Sequence, residues 1–347
     1  DMDIVREIGG ANHVETVAGY TGAGVRGEMF DTGFNLNHPD FQVNPLIEHG
    51  GAVGNDSHGT ACAGINFGTG AGDPQARGLM PDGQGIVADY NTIGLTGTTR
   101  YTHAGELLQA PYFAVFQTAS VGSARTFDYT TISADHDTML FDWDVRHCQS
   151  QSNAGNQDTR PQAWAKNVLS GGAFNHYNTL TRSDDCWCNT GSIGPASDGR
   201  IKPDLSFFYD DTYTTYTTGD GYGQFGGTSG ATPSICGYTG LFFQIFCRAF
   251  GDNFARLDDR YFPAYLLGNL KGMSRHKNGS SFGGLFSENC FNKPCSLRVE
   301  TDHGFIHNED LRIVKQGRAH CQTLLHTMGE TLNKLFAPMA EFKETKE

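Results

Sequence analysis

Apolar, β-branched segments alternate with helical segments between residues 25 and 250, and glycine interrupts both kinds. The strand-like segments are residues 25–30, 85–90, 112–118, 149–152, 167–173 and 201–208, and the helical ones are 58–67, 138–146 and 229–250. This alternation predicts an α/β fold in which helices flank a mainly parallel central sheet. Ligands bind such sheets beyond the carboxyl ends of the strands, so polar side chains at those ends are the candidates for a functional site.

Ser120, Asn156 and Asp31 are predicted to lie at such strand ends. Three short polar motifs carry the candidate chemistry, one directly after the strand 25–30 and two at the starts of helices. They are Asp31-Thr32-Gly33, His58-Gly59-Thr60 and Gly227-Thr228-Ser229. A serine hydroxyl is a poor nucleophile until a base takes its proton, and histidine is the base suited to neutral pH. A buried carboxylate fixes the tautomer of that histidine and stabilises the imidazolium. The pattern predicts a triad of Asp31, His58 and Ser229.

With these motifs the chain resembles the subtilisin-like serine proteases, whose triad follows the order Asp, His, Ser. The resemblance covers residues 20–250 and includes Ala154-Gly155-Asn156, which is similar to the family's oxyanion motif. It implies that Asn156 donates its side-chain amide to the oxyanion. It also implies that the substrate-binding residues are Ser120, Val121, Gly122, Ala154 and Gly155.

By the same resemblance, residues 1–255 form a subtilisin-like catalytic core. Residues 256–347 complete that domain, with a possible appended helix. The implied function is a secreted, extracellular serine endopeptidase acting on polypeptides. The resemblance further implies structural Ca²⁺, with Asp40 as a candidate ligand, no catalytic cofactor, and removal of an inhibitory pro-segment. The start at Asp1 is read as the result of such processing.

Charge and hydropathy exclude other classes of protein. The formal net charge is −13, whereas nucleic-acid binding needs a basic face, so no nucleic-acid partner is expected. No apolar run approaches the roughly 20 residues that span a bilayer, so no membrane segment is expected.

The nine cysteines indicate an oxidising compartment, although their pairing cannot be read from the sequence. Cys290, Cys295 and Cys321 form a late group of candidate disulfide cysteines. Cys62 lies one helical turn after His58 and is similar to the free cysteine of one branch of the family. Its alternative role is that of a small buried apolar residue.

Other known motifs fit less well. Asp31-Thr32-Gly33 also matches aspartic proteases, but no second such tripeptide is present. The serine motif is close to that of α/β-hydrolases, in which the acid and histidine follow the serine. His176, Cys186 and Cys188 lack the spacing of a zinc site. A subtilisin fold that joins peptides as a transamidase or cyclase, or that only binds them, stays open as an alternative.

Overall fold

The computed structural model describes residues 1–217 and 221–249. In these residues seven strands form one parallel sheet with the order β2-β3-β1-β4-β5-β6-β7. The strands are β1 (Arg26–Asp31), β2 (Ile47–Glu48), β3 (Gln84–Asp89), β4 (Phe116–Ala119), β5 (His147–Ser150), β6 (Leu169–Phe174) and β7 (Leu205–Phe208). The hairpin strands β8 (Thr212–Thr215) and β9 (Tyr222–Phe225) pair antiparallel beside it.

Helices cover both faces of the sheet. They are α1 (Met2–Ile8), α2 (Ala11–Ala18), α3 (Ser57–Phe67), α4 (Tyr90–Ile93), α5 (Gly97–Glu106), α6 (Thr131–Trp143) and α7 (Gly227–Ala249). Short 3₁₀ turns lie at Pro39–Phe41, Pro74–Ala76 and Pro161–Trp164. Helices α3 and α7 pack against each other and against the sheet, and α5 packs against α6.

Strand β1 lies inside the sheet, and its side chains alternate between the two faces. Met29 packs in the core cluster that contains residues of α3 and α7. Phe30 packs with Ile93 on the other face, where its ring also approaches His103 of α5. The alternation therefore sends Asp31 toward α3 and Glu28 toward α5.

The predicted fold class is confirmed, although the short strand β2, the hairpin β8–β9 and helices α1, α2, α4 and α5 were not predicted, and two predicted strands begin later than expected. The segment 112–118 pairs only from Phe116, because the residues before it form a turn in which Tyr112 donates to the carbonyl of Gln109. The segment 201–208 pairs only from Leu205, since Pro203 has no N–H to donate to a ladder.

In the described residues, no helix combines the length and the apolar character needed to cross a membrane. The predicted completion of the domain over residues 256–347 lies outside the described residues, as do Cys290, Cys295 and Cys321.

Candidate active site

The end of β1 and the start of α3 are joined by a set of hydrogen bonds around one threonine. Thr32 donates its hydroxyl to Asp56 Oδ1 at 2.8 Å and accepts from the Gly59 N–H at 2.9 Å. Asp56 caps α3 by accepting from the His58 N–H at 2.7 Å. These bonds hold His58 in the first turn of α3, beside the end of β1.

The glycines of both motifs are required by close backbone contact. A Cβ on Gly33 would lie 2.2 Å from the Gly54 carbonyl oxygen, and one on Gly59 would lie 2.5 Å from the Gly33 carbonyl oxygen. Atoms in real structures do not approach so closely, so any other residue would push the two segments apart. The motif glycines thus allow the histidine and the aspartate to meet.

Asp31 and His58 form a direct pair. Asp31 Oδ1 lies 2.6 Å from His58 Nδ1, and the Asp31 side chain is 2 % exposed, whereas that of His58 is 31 % exposed. The edge of the Phe225 ring covers part of the imidazole at a centroid distance of 5.3 Å. The nitrogen bound to Asp31 is therefore shielded, while the rest of the ring can be reached from solvent.

The charge of this pair alters the titration of the imidazole. Burial disfavours the imidazolium, but the nearby Asp31 carboxylate and the Cys62 thiol outweigh it and raise the pKa of His58 above its usual value. Burial, followed by the charge of Asp31, raises the pKa of Cys62 to about 11. Cys62 is therefore a neutral thiol at neutral pH.

Ser229 lies in the first turn of α7 and is half-buried. Pro233, four residues later, has no N–H, so the Ser229 carbonyl cannot make the usual helical bond. Instead it accepts from Ser120 Oγ at 2.9 Å and is contacted by Cys62 Sγ at 3.6 Å. Because of the proline, the Ser229 carbonyl is free to contact Ser120 at the end of β4 and Cys62 of α3.

Cys62 connects Ser229 with the imidazole. Besides its contact with the Ser229 carbonyl, its sulfur lies within 4.8 Å of the facing atoms of Asp31 and His58. The structure thus brings the three predicted triad residues to one place. In the described parts of the chain, however, the Ser229 hydroxyl makes no hydrogen bond to His58; it contacts the Ser120 carbonyl at a long 3.5 Å.

The asparagine beside the serine is Asn153, not the predicted Asn156. Asn153 Oδ1 accepts from the Thr228 N–H at 2.9 Å and from the Thr228 hydroxyl at 3.1 Å. An N–H can only donate, so these bonds identify Oδ1 and leave the Nδ2 amide to donate elsewhere. Asn153 Nδ2 also lies 3.1 Å from the Cβ position of Gly227.

Asn156 has a different environment. Its Oδ1 accepts from the Asp158 N–H at 2.8 Å and its carbonyl accepts from Ile193, although both asparagines are exposed. The displacement by three residues follows from the backbone: β5 ends at Ser150, and Ser152 takes a positive φ of 130°. Asn153 follows that turn, and its side chain reaches Thr228, the residue before Ser229. Comparison with the Ala-Gly-Asn motif could not predict the place of Asn153, because the residue with the positive φ is a serine and not a glycine.

The predicted substrate-binding residues fall into two groups. Ser120 follows β4, bonds to Ser229, and leads into Val121 and Gly122, which are half-buried. In the second group, Ala154 already donates its N–H to Ser192 Oγ at 3.0 Å, and Gly155 packs on Asn189. The first group is thus beside the nucleophile, while the second packs against a neighbouring loop.

Asp40, the predicted calcium ligand, is a buried carboxylate in the turn Pro39–Phe41. Its carboxylate accepts from the Tyr222 hydroxyl on one oxygen and from the Gly70 N–H at 2.9 Å on the other. Asp40 belongs to neither of the ligand groups present in the described residues.

The cysteines lie at several places. The sulfur atoms of Cys186 and Cys188 pair with each other rather than with a distant partner. Cys62, Cys148 and Cys236 are buried as free thiols.

The chain is similar to known proteins in both sequence and fold. The family model described as "Subtilase family" matches residues 28–247. Among solved structures, the prenylagaramide maturation protease PagA is similar with a TM-score of 0.55 and 18 % identity, covering 74 % of this chain and 87 % of that one. Sphericase is similar with a TM-score of 0.51 and 19 % identity, covering 73 % and 87 %. At such identities these two structures show a common fold.

Proposed function

The chain belongs to the subtilase family, and on that premise we propose that it is a serine endopeptidase. The observation that supports this best is the pair of Asp31 and His58, 2.6 Å apart, with Ser229 held beside it at the start of α7. The buried carboxylate orients the imidazole, and the exposed part of the ring is free to exchange a proton.

In the proposed reaction the Ser229 hydroxyl turns from the Ser120 carbonyl to His58 Nε2. Its present contact of 3.5 Å is weak, so this rotation costs little. His58 then takes the proton as Oγ attacks the scissile carbonyl. His58 next gives that proton to the leaving amine, and water resolves the acyl-enzyme by the same route.

We assign the oxyanion donors to the Asn153 Nδ2 amide and the Ser229 N–H. Asn153 is held by Thr228, the residue just before the nucleophile, so its amide is fixed before substrate binds. Such preorganised donors stabilise charge that develops in the transition state. The positive end of the α7 dipole acts in the same direction.

The proposed substrate is an extended polypeptide. The segment from Ser120 to Gly122 continues β4 beyond its carboxyl end, beside Ser229. A peptide can pair with such a segment as an added strand, which favours backbone recognition over recognition of a single side chain. Val121 offers the N–H for this pairing, while its carbonyl already accepts from Gln149 at 2.8 Å.

The test is hydrolysis of an internally quenched peptide library by wild type and by Ser229→Ala, with products identified by mass. We expect internal cleavage with new carboxyl termini, lost in the variant. Cyclic or ligated products in place of hydrolysis would favour the transamidase alternative. Binding without any product would favour the non-cutting module.

Extracellular action, structural calcium and removal of a pro-segment stay predictions from the family resemblance. They can be tested on the native protein by fractionation of the culture, by the change in Tm with a calcium chelator, and by sequencing of its amino terminus.

A further inference from the structure

A second group of metal-ligating side chains lies on the opposite face of β1 from Asp31. It consists of Glu28 of β1, His49 just after β2 and His103 of α5, and each is at most 2 % exposed. The facing atoms of all three lie within 4.8 Å of one another. The three come from separate parts of the chain, so the fold itself assembles the group.

The two imidazoles converge on one carboxylate oxygen. Glu28 Oε1 lies 2.6 Å from His49 Nδ1 and 3.1 Å from His103 Nε2. The rings are stacked with centroids 3.7 Å apart. Two imidazoles and one glutamate are the protein ligands of a known class of zinc sites, in which the fourth position stays open.

The second nitrogen of His49 faces another carboxylate, with Nε2 3.4 Å from Glu106 Oε2. A metal on His49 Nδ1 moves the proton to Nε2, where it donates to Glu106. Carboxylates placed in this way behind ligating histidines orient the ring and strengthen the metal bond.

The other oxygen of the carboxylate is also held in place. Gln117 donates its amide to Glu28 Oε2, and the Gln117 oxygen accepts from Arg100. Arg100 thus holds Gln117 in place. Glu28 is thereby fixed with Oε1 toward the histidines.

The group is one residue away from solvent. Glu106 is 57 % exposed, and the exposed Gly50 follows His49 with a φ of +82°. A Cβ on Gly50 would lie 3.2 Å from His103 Nδ1, so Gly50 covers the group on its solvent side. An ion can enter there after a local movement of the loop.

The geometry points to a buried zinc site formed by Glu28, His49 and His103, with Glu106 as the outer partner of His49. Ligands at zinc distances of about 2.0–2.2 Å stand roughly 3.3 Å apart in a tetrahedron. The hydrogen-bonded side chains must therefore separate slightly, and the stacked rings must tilt to direct both nitrogens at one ion. The ion ties β1 to α5 and to the loop after β2. The site is independent of the proposed peptidase activity.

The experiment uses the full chain, stripped with a chelator and titrated with Zn²⁺ by calorimetry, followed by the Tm with and without the ion. We expect one equivalent to bind and to raise the Tm. In Glu28→Gln we expect at least a 100-fold loss of affinity. Because Glu28→Gln can fail to fold, the exposed Glu106→Gln provides a second variant, with an expected loss of about 10–100-fold.

The group of Asp31, His58 and Cys62 is the competing place for an ion, so Cys62→Ala is the matched control. We expect Cys62→Ala to keep full affinity. Co²⁺ substituted into the wild type should show d–d bands without thiolate-to-cobalt charge transfer. The proposal is overturned by absence of zinc binding, by a thiolate band, or by binding that is lost in Cys62→Ala and kept in Glu106→Gln.

Discussion

Strand β1 carries two carboxylate–histidine pairs that share one geometry and differ in surroundings. Asp31 and His58 are 2.6 Å apart, as are Glu28 and His49. The His58 side chain is 31 % exposed beside a serine, whereas that of His49 is 1 % exposed beside another histidine. The pair alone therefore does not make a catalytic site. An open face on the imidazole and a nucleophile next to it make the difference.

The largest expected effect comes from removing the histidine of each pair in turn. His58→Ala should lower kcat by about 10⁶-fold with little change in stability, since single triad losses reach that size. His49→Ala should lower the free energy of unfolding by roughly 3–5 kcal/mol, because it removes one partner of a buried carboxylate. Peptide hydrolysis and chemical denaturation measure the two effects. If His58→Ala and His49→Ala lost the same activity per folded molecule, the proposed difference between the two pairs would be contradicted.

The oxyanion donor gives the next largest effect. Asn153→Ala should lower kcat by about 10²–10³-fold with little change in KM, since its amide acts on the transition state. Asn156→Ala is the matched control and should lower kcat by less than about 3-fold, because exposed residues outside such machinery have small effects. The steady-state constants of both variants check this. The reverse order would restore the assignment made from the sequence.

The pH dependence sharpens the contrast between the open and the closed pair. Catalysis needs the neutral imidazole, and Asp31 favours the charged one by raising the pKa of His58. The acidic limb of the kcat/KM profile should therefore lie at a pH above about 6.5, the ordinary pKa of histidine. In Asp31→Asn the remaining activity should have its limb at lower pH. An acidic limb at the same pH in Asp31→Asn and wild type would contradict the effect of Asp31 on the pKa of His58.

The smallest effect is expected at Cys62, which packs under the open pair without taking part in proton transfer. Cys62→Ala should change kcat by less than about 10-fold, because the neutral thiol contributes a small packing contact. Wild type should lose activity slowly with a mercurial, since the thiol is buried, and the variant should resist it. Inhibition of both forms alike would indicate a different target.

The fold and the contact between Asp31 and His58 could be predicted from the sequence, because each rests on a local signal. The motifs that contain Asp31 and His58 include glycines that are required by close backbone contact. Asn153 escaped prediction, since its position depends on the positive φ of Ser152, which no residue type signals. Glu28, His49 and His103 escaped too. Their meeting depends on strand order and on the alternation of β1, neither of which a motif records.

The most direct test of the account is labelling with a peptidyl phosphonate, followed by peptide mapping. We predict one modified residue, Ser229, no labelling in Ser229→Ala, and much slower labelling in His58→Ala than in His49→Ala. A label on any other residue, or labelling that persists in Ser229→Ala, would contradict the account.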